Sequence, residues 1–252
     1  MNALAGKSVL VTGAARGIGA AIAEAVVDEA GAVALVDFDP AGADTAARLG
    51  DRAHFFPCDV RSLEDVERAV AEAELALGGL DGLVNNAGIN AYFDAVAMTE
   101  EDWDTVFAVD LKAAWMLAKA MLPGLIERRG AIVNISSIQA QLTIEGFFPY
   151  AAAKAGLEGL TRSLALDYAP RGVRVNAVAP GYTDTRLVRE WLDLQPDPQA
   201  ALDSVLAKIP MRRIATPREI GNVVVFLLSE QASAITGATI AVDCGLGVRY
   251  AS

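Results

Sequence analysis

Tyr150 and Lys154 stand four residues apart in Tyr150-Ala151-Ala152-Ala153-Lys154, at the start of a segment that reads as a helix. Side chains at that spacing share one helix face. A free phenol titrates near ~10 and is a poor base at neutral pH, whereas a fixed ammonium beside it favours the phenolate. The pair is therefore a candidate proton-transfer unit, although the same spacing also decorates solvated helices. Ser137 lies thirteen residues upstream, at the end of an apolar run, and offers a hydroxyl that could orient a reacting oxygen.

A second constellation opens the chain. In Thr12-Gly13-Ala14-Ala15-Arg16-Gly17-Ile18-Gly19 the glycines join an apolar run to an Ala-rich helical one. Glycines there permit a tight turn and a close approach of backbone to a pyrophosphate, which the following helix N-terminus stabilises. A plain structural turn is the alternative. Asp37 follows Gly19 by eighteen residues and ends the second apolar run. An acid about ~20 residues after such a loop is placed to accept from a ribose 2′-hydroxyl. Its charge opposes a 2′-phosphate, and Phe38 stands where a cation would help one, so NAD is expected over NADP. Arg16 is the loop's one basic residue and could serve a phosphate.

These groups need a scaffold. Strand-like runs are read at Ser8–Thr12, Ala32–Val36, Ala53–Cys58, Leu80–Val84, Ala131–Ile135, Val173–Ala177 and Ala238–Val242. Helical segments alternate with them at 18–29, 40–49 (starting on Pro40), 63–77 after Ser62, 99–128 after Thr99, 150–168 and 217–228. Runs that are apolar throughout mark strands buried on both faces. The pattern predicts an α/β fold, a single-domain doubly wound parallel sheet of about seven strands with helices on both faces. The stretch 181–216 holds Pro196, Pro198 and Pro210 and reads as the longest irregular segment, a candidate lid over about 182–216.

Composition narrows the class. The chain has 252 residues, 53% of them hydrophobic, enough for one large core. A net charge of −11 argues against nucleic acid and anionic membranes as partners. No run approaches the ~18 apolar residues that span a bilayer, and no signal peptide is read at the start. Cys58 and Cys244 are too few for a disulfide framework, so a cytoplasmic location is expected. His54 stands alone and no ligand cluster is apparent, so no metal is expected.

From Val9 to about Gly245 the chain resembles the short-chain dehydrogenase/reductase family. The resemblance rests on the glycine loop, Asn85-Asn86-Ala87-Gly88, Ile135-Ser136-Ser137, Tyr150-x-x-x-Lys154, and Asn176 to Pro180-Gly181. It implies Ser137, Tyr150 and Lys154 as catalytic groups, with Ser136 supporting the strand end. It implies that Gly13, Gly17, Ile18 and Gly19 cradle the cofactor, that Asp59, followed by Val60, meets the adenine amino group, and that Asn86, Ala87 and Gly88 line the adenosine ribose side. Lys154 would also bind the nicotinamide ribose, and Thr183 or Thr185 after Pro180-Gly181 would hold the carboxamide. Where the family has an Asn whose main-chain carbonyl holds a water on the proton path, this chain has Asp110. The resemblance also implies a homo-oligomer, a tetramer. Met116, Leu117, Met121, Leu157 and Leu164 are read as interface candidates, with burial in the core as the alternative.

Asn90, Gln139, Gln141, Glu145, Tyr182, Thr183, Arg186, Trp191 and Gln195 are expected to face the substrate, and Phe147-Phe148 leans to the pocket wall. Polar groups in a buried site are costly unless paired, so this set expects hydroxyls. A sugar, sugar acid or polyol is the small-molecule substrate class that fits, and the segment 191–198 resembles the lid of the family's sugar dehydrogenases. A 3-oxoacyl-carrier-protein-type reductase and a non-catalytic NAD-binding regulator are the rival readings.

Overall fold

The computed structural model describes residues 2–248. The apolar runs form strands β1 (Ser8–Thr12), β2 (Ala32–Asp37), β3 (Ala53–Pro57), β4 (Gly82–Asn85), β5 (Ala131–Ile135), β6 (Arg174–Pro180) and β7 (Thr239–Val242). They pair in the order β3-β2-β1-β4-β5-β6-β7, all parallel. Successive strand residues point to opposite faces. Val9 and Val11 therefore enter one core while Leu10 enters the other. The first core is closed by Ile22 and Val26 of α1 (Gly17–Asp28) and Ile220 and Val224 of α9 (Pro217–Leu228). The second is closed by Val66 and Val70 of α3 (Leu63–Leu77) and by Met116, Leu117, Met121 and Leu125 of α5 (Ala113–Arg128). The sheet is thus covered on both faces, as its uninterrupted apolar strands require.

A buried polar ladder fixes α6 (Tyr150–Tyr168) against this sheet. Asn85 Nδ2 donates to Asn134 Oδ1 at 2.8 Å, and Asn134 Nδ2 donates to Thr161 Oγ1 at 2.8 Å. Asn176 ties the segment leading into β7 to β6, donating to the Ile235 carbonyl and accepting from the Ala238 amide. Caps end the helices where the residue types place them. Ser62 accepts from the Asp65 amide, and Thr99 forms a capping box with Asp102.

Several expectations are corrected. The helical region after Thr99 runs unbroken to Arg128 as expected, but a π turn at Ala108–Lys112 divides it into α4 (Glu100–Phe107) and α5. The stretch 181–216 is not irregular: it contains α7 (Arg186–Asp193) and α8 (Pro198–Lys208). Pro198 starts α8, because a first-turn residue has no helical acceptor for its N–H. Asp197 caps it by accepting from the Ala200 amide. The second helix, α2 (Ala41–Leu49), begins after Pro40, which is its cap. Strand β6 extends to Pro180 because β7 pairs with it that far. Met116, Leu117, Met121 and Leu157 are buried in the protomer and cannot be interface residues, while Leu164 packs partly buried against the same core. Among the described residues no helix is long and apolar enough to cross a membrane.

Candidate functional site

The site lies along the C-terminal ends of the strands, where β1 and β4 lie side by side and the strand order reverses. The glycine loop is there because nothing larger fits. Gly13 and Gly17 have φ of +63° and +60°. A Cβ on Gly13 would stand 2.9 Å from the Ala87 Cα, and one on Gly19 would stand 2.1 Å from the Gly13 carbonyl oxygen. Asn86 braces the loop from the end of β4, its Nδ2 donating to the carbonyls of Thr12 and Gly13. Thr12 Oγ1 accepts in return from the amides of Asn86 and Ala87, both at 3.0 Å.

Beside this loop is a hollow lined by Gly13, Arg16, Gly17, Ile18 and Asp37 on one side and by Asp59, Val60, Asn86, Ala87 and Gly88 on the other. Gly19 supports the turn from beneath, outside the lining. Asp37 Oδ2 accepts from the Ala15 amide and Oδ1 from the Asp39 amide, both at 2.9 Å. The carboxylate thus organises the turn and borders the hollow at once. Arg16 is ion-paired with Asp39, so its charge is compensated. Asp59 is gripped by Arg61 at 2.7 Å, and that hydrogen bond holds its carboxyl below the usual range. Burial pushes the Cys58 thiol, also on this wall, up to about 12, which makes it a neutral lining group. A bare backbone loop at a helix start, with a carboxylate at the end of β2, fits a dinucleotide.

The second part begins where α6 meets the end of β5. Lys154 and Asp110 are only 3% and 2% exposed. Lys154 Nζ donates to the Ile135 carbonyl at 3.2 Å and lies 3.7 Å from Asp110 Oδ2 and 5.5 Å from the centre of the Tyr150 ring. Asp110 sits in the π turn, a backbone irregularity common at functional sites. Its Oδ1 accepts from the Ile89 amide at 2.8 Å, while Oδ2 has no hydrogen-bond partner. Burial pushes the Asp110 carboxyl up, against the opposing pull of the Lys154 ammonium and of the Ile89 hydrogen bond. Gly88 admits this arrangement, since a Cβ there would stand 3.2 Å from Lys154 Nζ.

Tyr150 and Lys154 share a cavity of about 260 Å³ with Ser137, Pro180, Gly181 and Thr183. It abuts the loop hollow, with Ile18, Asn86, Gly88, Ile89 and Thr185 bordering both. Ser137 Oγ accepts from the Gln139 amide at 3.2 Å, which leaves its O–H to donate. A phenol, a hydroxyl donor and an ammonium around one cavity can bind an alcohol oxygen and move its proton.

Of the expected substrate-facing residues, Asn90, Gln139, Tyr182, Thr183 and Trp191 line this cavity. Gln139 Oε1 is buried and unpartnered. Four others are elsewhere. Arg186 borders the loop hollow and pairs with Glu190. Glu145 is exposed and outside the lining. Gln141 Nε2 donates to Glu158, and Gln195 Nε2 to the Trp191 carbonyl. Phe147 lines the cavity, whereas Phe148 turns to Trp103 with ring centres 5.9 Å apart. Tyr92, Ile89, Ile138, Ile144 and Val188 were not anticipated and make the wall more apolar than expected. Tyr92 packs edge-on to Phe147 at 5.0 Å, and its phenol is pushed up by burial and by the neighbouring Tyr150 and Tyr182.

A family model described as enoyl-(acyl carrier protein) reductase matches residues 13–247. With this match, this sheet and close relatives along its whole length, the chain belongs to the short-chain dehydrogenase/reductase family. It is an oxidoreductase of alcohol-type substrates that uses a nicotinamide cofactor. It is 41% identical to 2-(S)-hydroxypropyl-CoM dehydrogenase 3 of Xanthobacter autotrophicus, over 97% of this chain and 98% of the relative. It is 38% identical to the 3-oxoacyl-(acyl-carrier-protein) reductase FabG of Vibrio cholerae, over 96% and 98% of the two chains. Among solved structures, the aldohexose dehydrogenase of Thermoplasma acidophilum superposes with a TM-score of 0.90 at 36% identity, covering 98% of this chain and 96% of that one.

Gly19→Ala tests the loop. Its Cβ would press on the Gly13 carbonyl and stand 2.6 Å from Asn86 Nδ2. Such overpacking costs about 1–3 kcal/mol. Thermal unfolding should show a lowered Tm, and titration with NADH or NADPH a weakened affinity. An unchanged Tm would show that the loop gives way freely.

Proposed function

We propose that this chain is an NAD-dependent dehydrogenase that interconverts an alcohol or lactol and the carbonyl of a small polyhydroxylated molecule, a sugar, sugar acid or polyol. The observation that carries this reading is the meeting of Tyr150, Lys154 and Ser137 with the unpaired Gln139 oxygen on one cavity that adjoins the glycine-loop hollow. A buried acceptor left unpaired asks for a donor from the ligand, and a substrate hydroxyl supplies one. Asn90, Tyr92 and Tyr182 add polar edges to the same wall. Similarity to an aldohexose dehydrogenase supports the sugar class. The apolar residues Ile89, Ile138, Ile144 and Val188, with the similarity to FabG, favour an acyl-chain reductase as the second reading.

In this reading NAD, when bound, supplies the hydride acceptor. Ser137 Oγ–H donates to the substrate oxygen and orients it. Tyr150 Oη takes the hydroxyl proton, or returns it in the reverse direction. Lys154 stabilises the phenolate and holds the nicotinamide ribose, and the main-chain carbonyl of Asp110 holds a water on the proton path. Gly13, Gly17, Ile18 and Gly19 receive the pyrophosphate, Asp59 and Val60 the adenine, and Asn86, Ala87 and Gly88 the adenosine ribose side. Thr183 and Thr185, with Pro180 and Gly181, hold the carboxamide. Asp37 accepts from the 2′-hydroxyl and repels a 2′-phosphate, and Arg16 is already occupied by Asp39. The segment of about 182–216, with α7 and α8, serves as the lid of a single-domain, cytoplasmic enzyme. Trp115 and Leu166 are 46% and 78% exposed on α5 and α6 and support a tetramer. Light scattering at micromolar concentration should give the mass of four chains; a monomeric mass rejects the assembly.

A panel of aldoses, sugar acids and polyols, assayed with NAD and with NADP, tests the activity. Turnover is expected with NAD, at an efficiency about tenfold or more above NADP, equivalent to about 1.4 kcal/mol of discrimination. Equal use of NADP removes the role given to Asp37, and silence across the panel removes the substrate class. Tyr150→Phe should lower turnover by about 10²–10⁴ while NADH still binds, the range general base catalysis contributes.

Asp110→Asn tests the buried carboxylate. Asn keeps an acceptor for the Ile89 amide but removes the negative charge 3.7 Å from Lys154. A negative charge there offsets the ammonium's pull on the phenol, so its removal lets the phenol ionise more readily. The rising limb of the oxidation rate against pH should move to lower pH in the variant. An unmoved limb means that the carboxylate does not reach the base.

A further inference from the structure

One turn beyond Lys154 on α6, Glu158 is buried at 5% exposure and has no part in the chemistry just described. Its Oε1 accepts from Ser136 Oγ and its Oε2 from Gln141 Nε2, both at 3.2 Å. Both donors are neutral. They bracket one short segment: Ser136 precedes Ser137, and Gln141 follows the 3₁₀ turn Ile138–Ala140. Between them Ser137, Ile138 and Gln139 line the cavity. The turn itself rests on few hydrogen bonds, from the Ala140 amide to the Ser137 carbonyl and from the amides of Gln141 and Leu142 to the Ile138 carbonyl. Its C-terminal side is exposed from Gln141 to Gly146.

A buried carboxylate is costly unless its oxygens are hydrogen-bonded, and an apolar side chain is the ordinary filling between a helix and a strand end. Here one carboxylate spends its two oxygens on the two ends of the cavity wall. We propose that Glu158 is a positioning residue that clamps segment 136–141 from behind, so that Ser137 and the Gln139 acceptor face the cavity. The clamp rests on the proposed function only in that this cavity takes the substrate. It acts on how the wall receives substrate and not on the proton-transfer groups, since Lys154 and Tyr150 are held through Ile135, Asp110 and the helix itself. Hydrogen bonds are what the clamp needs, and charge is not. Gln at 158 can accept from Ser136 and donate to a turned Gln141 amide, whereas Met fills the space without bonding.

Hydrogen exchange of the protein without substrate reads the clamp directly. In Glu158→Met the amides of Gln141 and Leu142 should exchange about tenfold faster, the effect of losing the two side-chain hydrogen bonds that tie the segment to α6. Glu158→Gln should stay near wild type. Gln141→Ala, a change at an exposed residue, should fall between them and gives the answer if the Met variant does not fold. Unchanged exchange in both Glu158→Met and Gln141→Ala overturns the clamp, and so does a Gln variant that exchanges as fast as the Met one. With a sugar or polyol that the wild type oxidises, Glu158→Met should lower kcat/KM about tenfold while Glu158→Gln keeps it near wild type. An unchanged kcat/KM in Glu158→Met, or a Gln variant as impaired as the Met one, overturns the positioning role. If the wild type oxidises none of the panel, the proposed function fails, while the exchange rates still decide the clamp.

Discussion

A buried ammonium must be paired, and most of the site's geometry follows from how Lys154 is paired. Its three neighbours come from three parts of the chain: the Ile135 carbonyl at the end of β5, the Asp110 carboxylate in the π turn, and the Tyr150 ring one turn back on α6. Each neighbour is fixed by something else. The Asn85–Asn134–Thr161 ladder sets α6 against β4 and β5. Asp110 is held by the Ile89 amide, and Gly88 gives the ammonium room by having no side chain. Moving any of these elements by an ångström would leave a charge in the interior without a partner, a far larger penalty than the loss of an apolar contact.

The hollow beside the glycine loop shows the opposite economy of charge. Its cations are already matched: Arg16 by Asp39, Arg61 by Asp59, Arg186 by Glu190. Attraction for a dinucleotide therefore falls mainly to backbone N–H groups at the start of α1, whose dipoles are fixed before any ligand arrives. This suits a chain with a net charge of −11, because fixed dipoles act over the length of a hydrogen bond and are little affected by the protein's overall field. The stringency at Gly13 and Gly19 comes from the loop's own packing, since a Cβ on either would press on Ala87, Asn86 or the Gly13 carbonyl.

What could be read from the residues follows the strictness of the physics behind them. Buried parallel strands and a glycine loop leave few alternatives, and both stand at or within a few residues of where the sequence places them. The π turn left no sign in Val109-Asp110-Leu111, because it is set by tertiary packing and not by propensity. The stretch 181–216 reads as irregular, although Asp197 and Pro198 fit a helix cap and start. Nearness in sequence to Tyr150 did not reveal which way Gln141 and Glu145 point, for loop side chains have no periodicity to orient them. Helix α5 is apolar on more than one face, so Met116 and Met121 could not be sorted from Trp115 without the sheet they pack against.

The strand order also imposes an order in time. Strand β1 is central, yet its second neighbour, β4, begins seventy residues after β1 ends. At translation speeds of about 5–20 residues per second, that edge stays unsatisfied for roughly 4–14 s on the ribosome. The apolar stripe of α1 waits longer still, since Ile220 and Val224 of α9 are made near the end of the chain. A nascent chain halted between β3 and β4 would therefore present a three-stranded parallel sheet whose β1 edge, paired with β4 in the finished fold, is still open. An unpaired edge of that kind is a template for chaperone capture and for edge-to-edge association with neighbouring copies on a polysome.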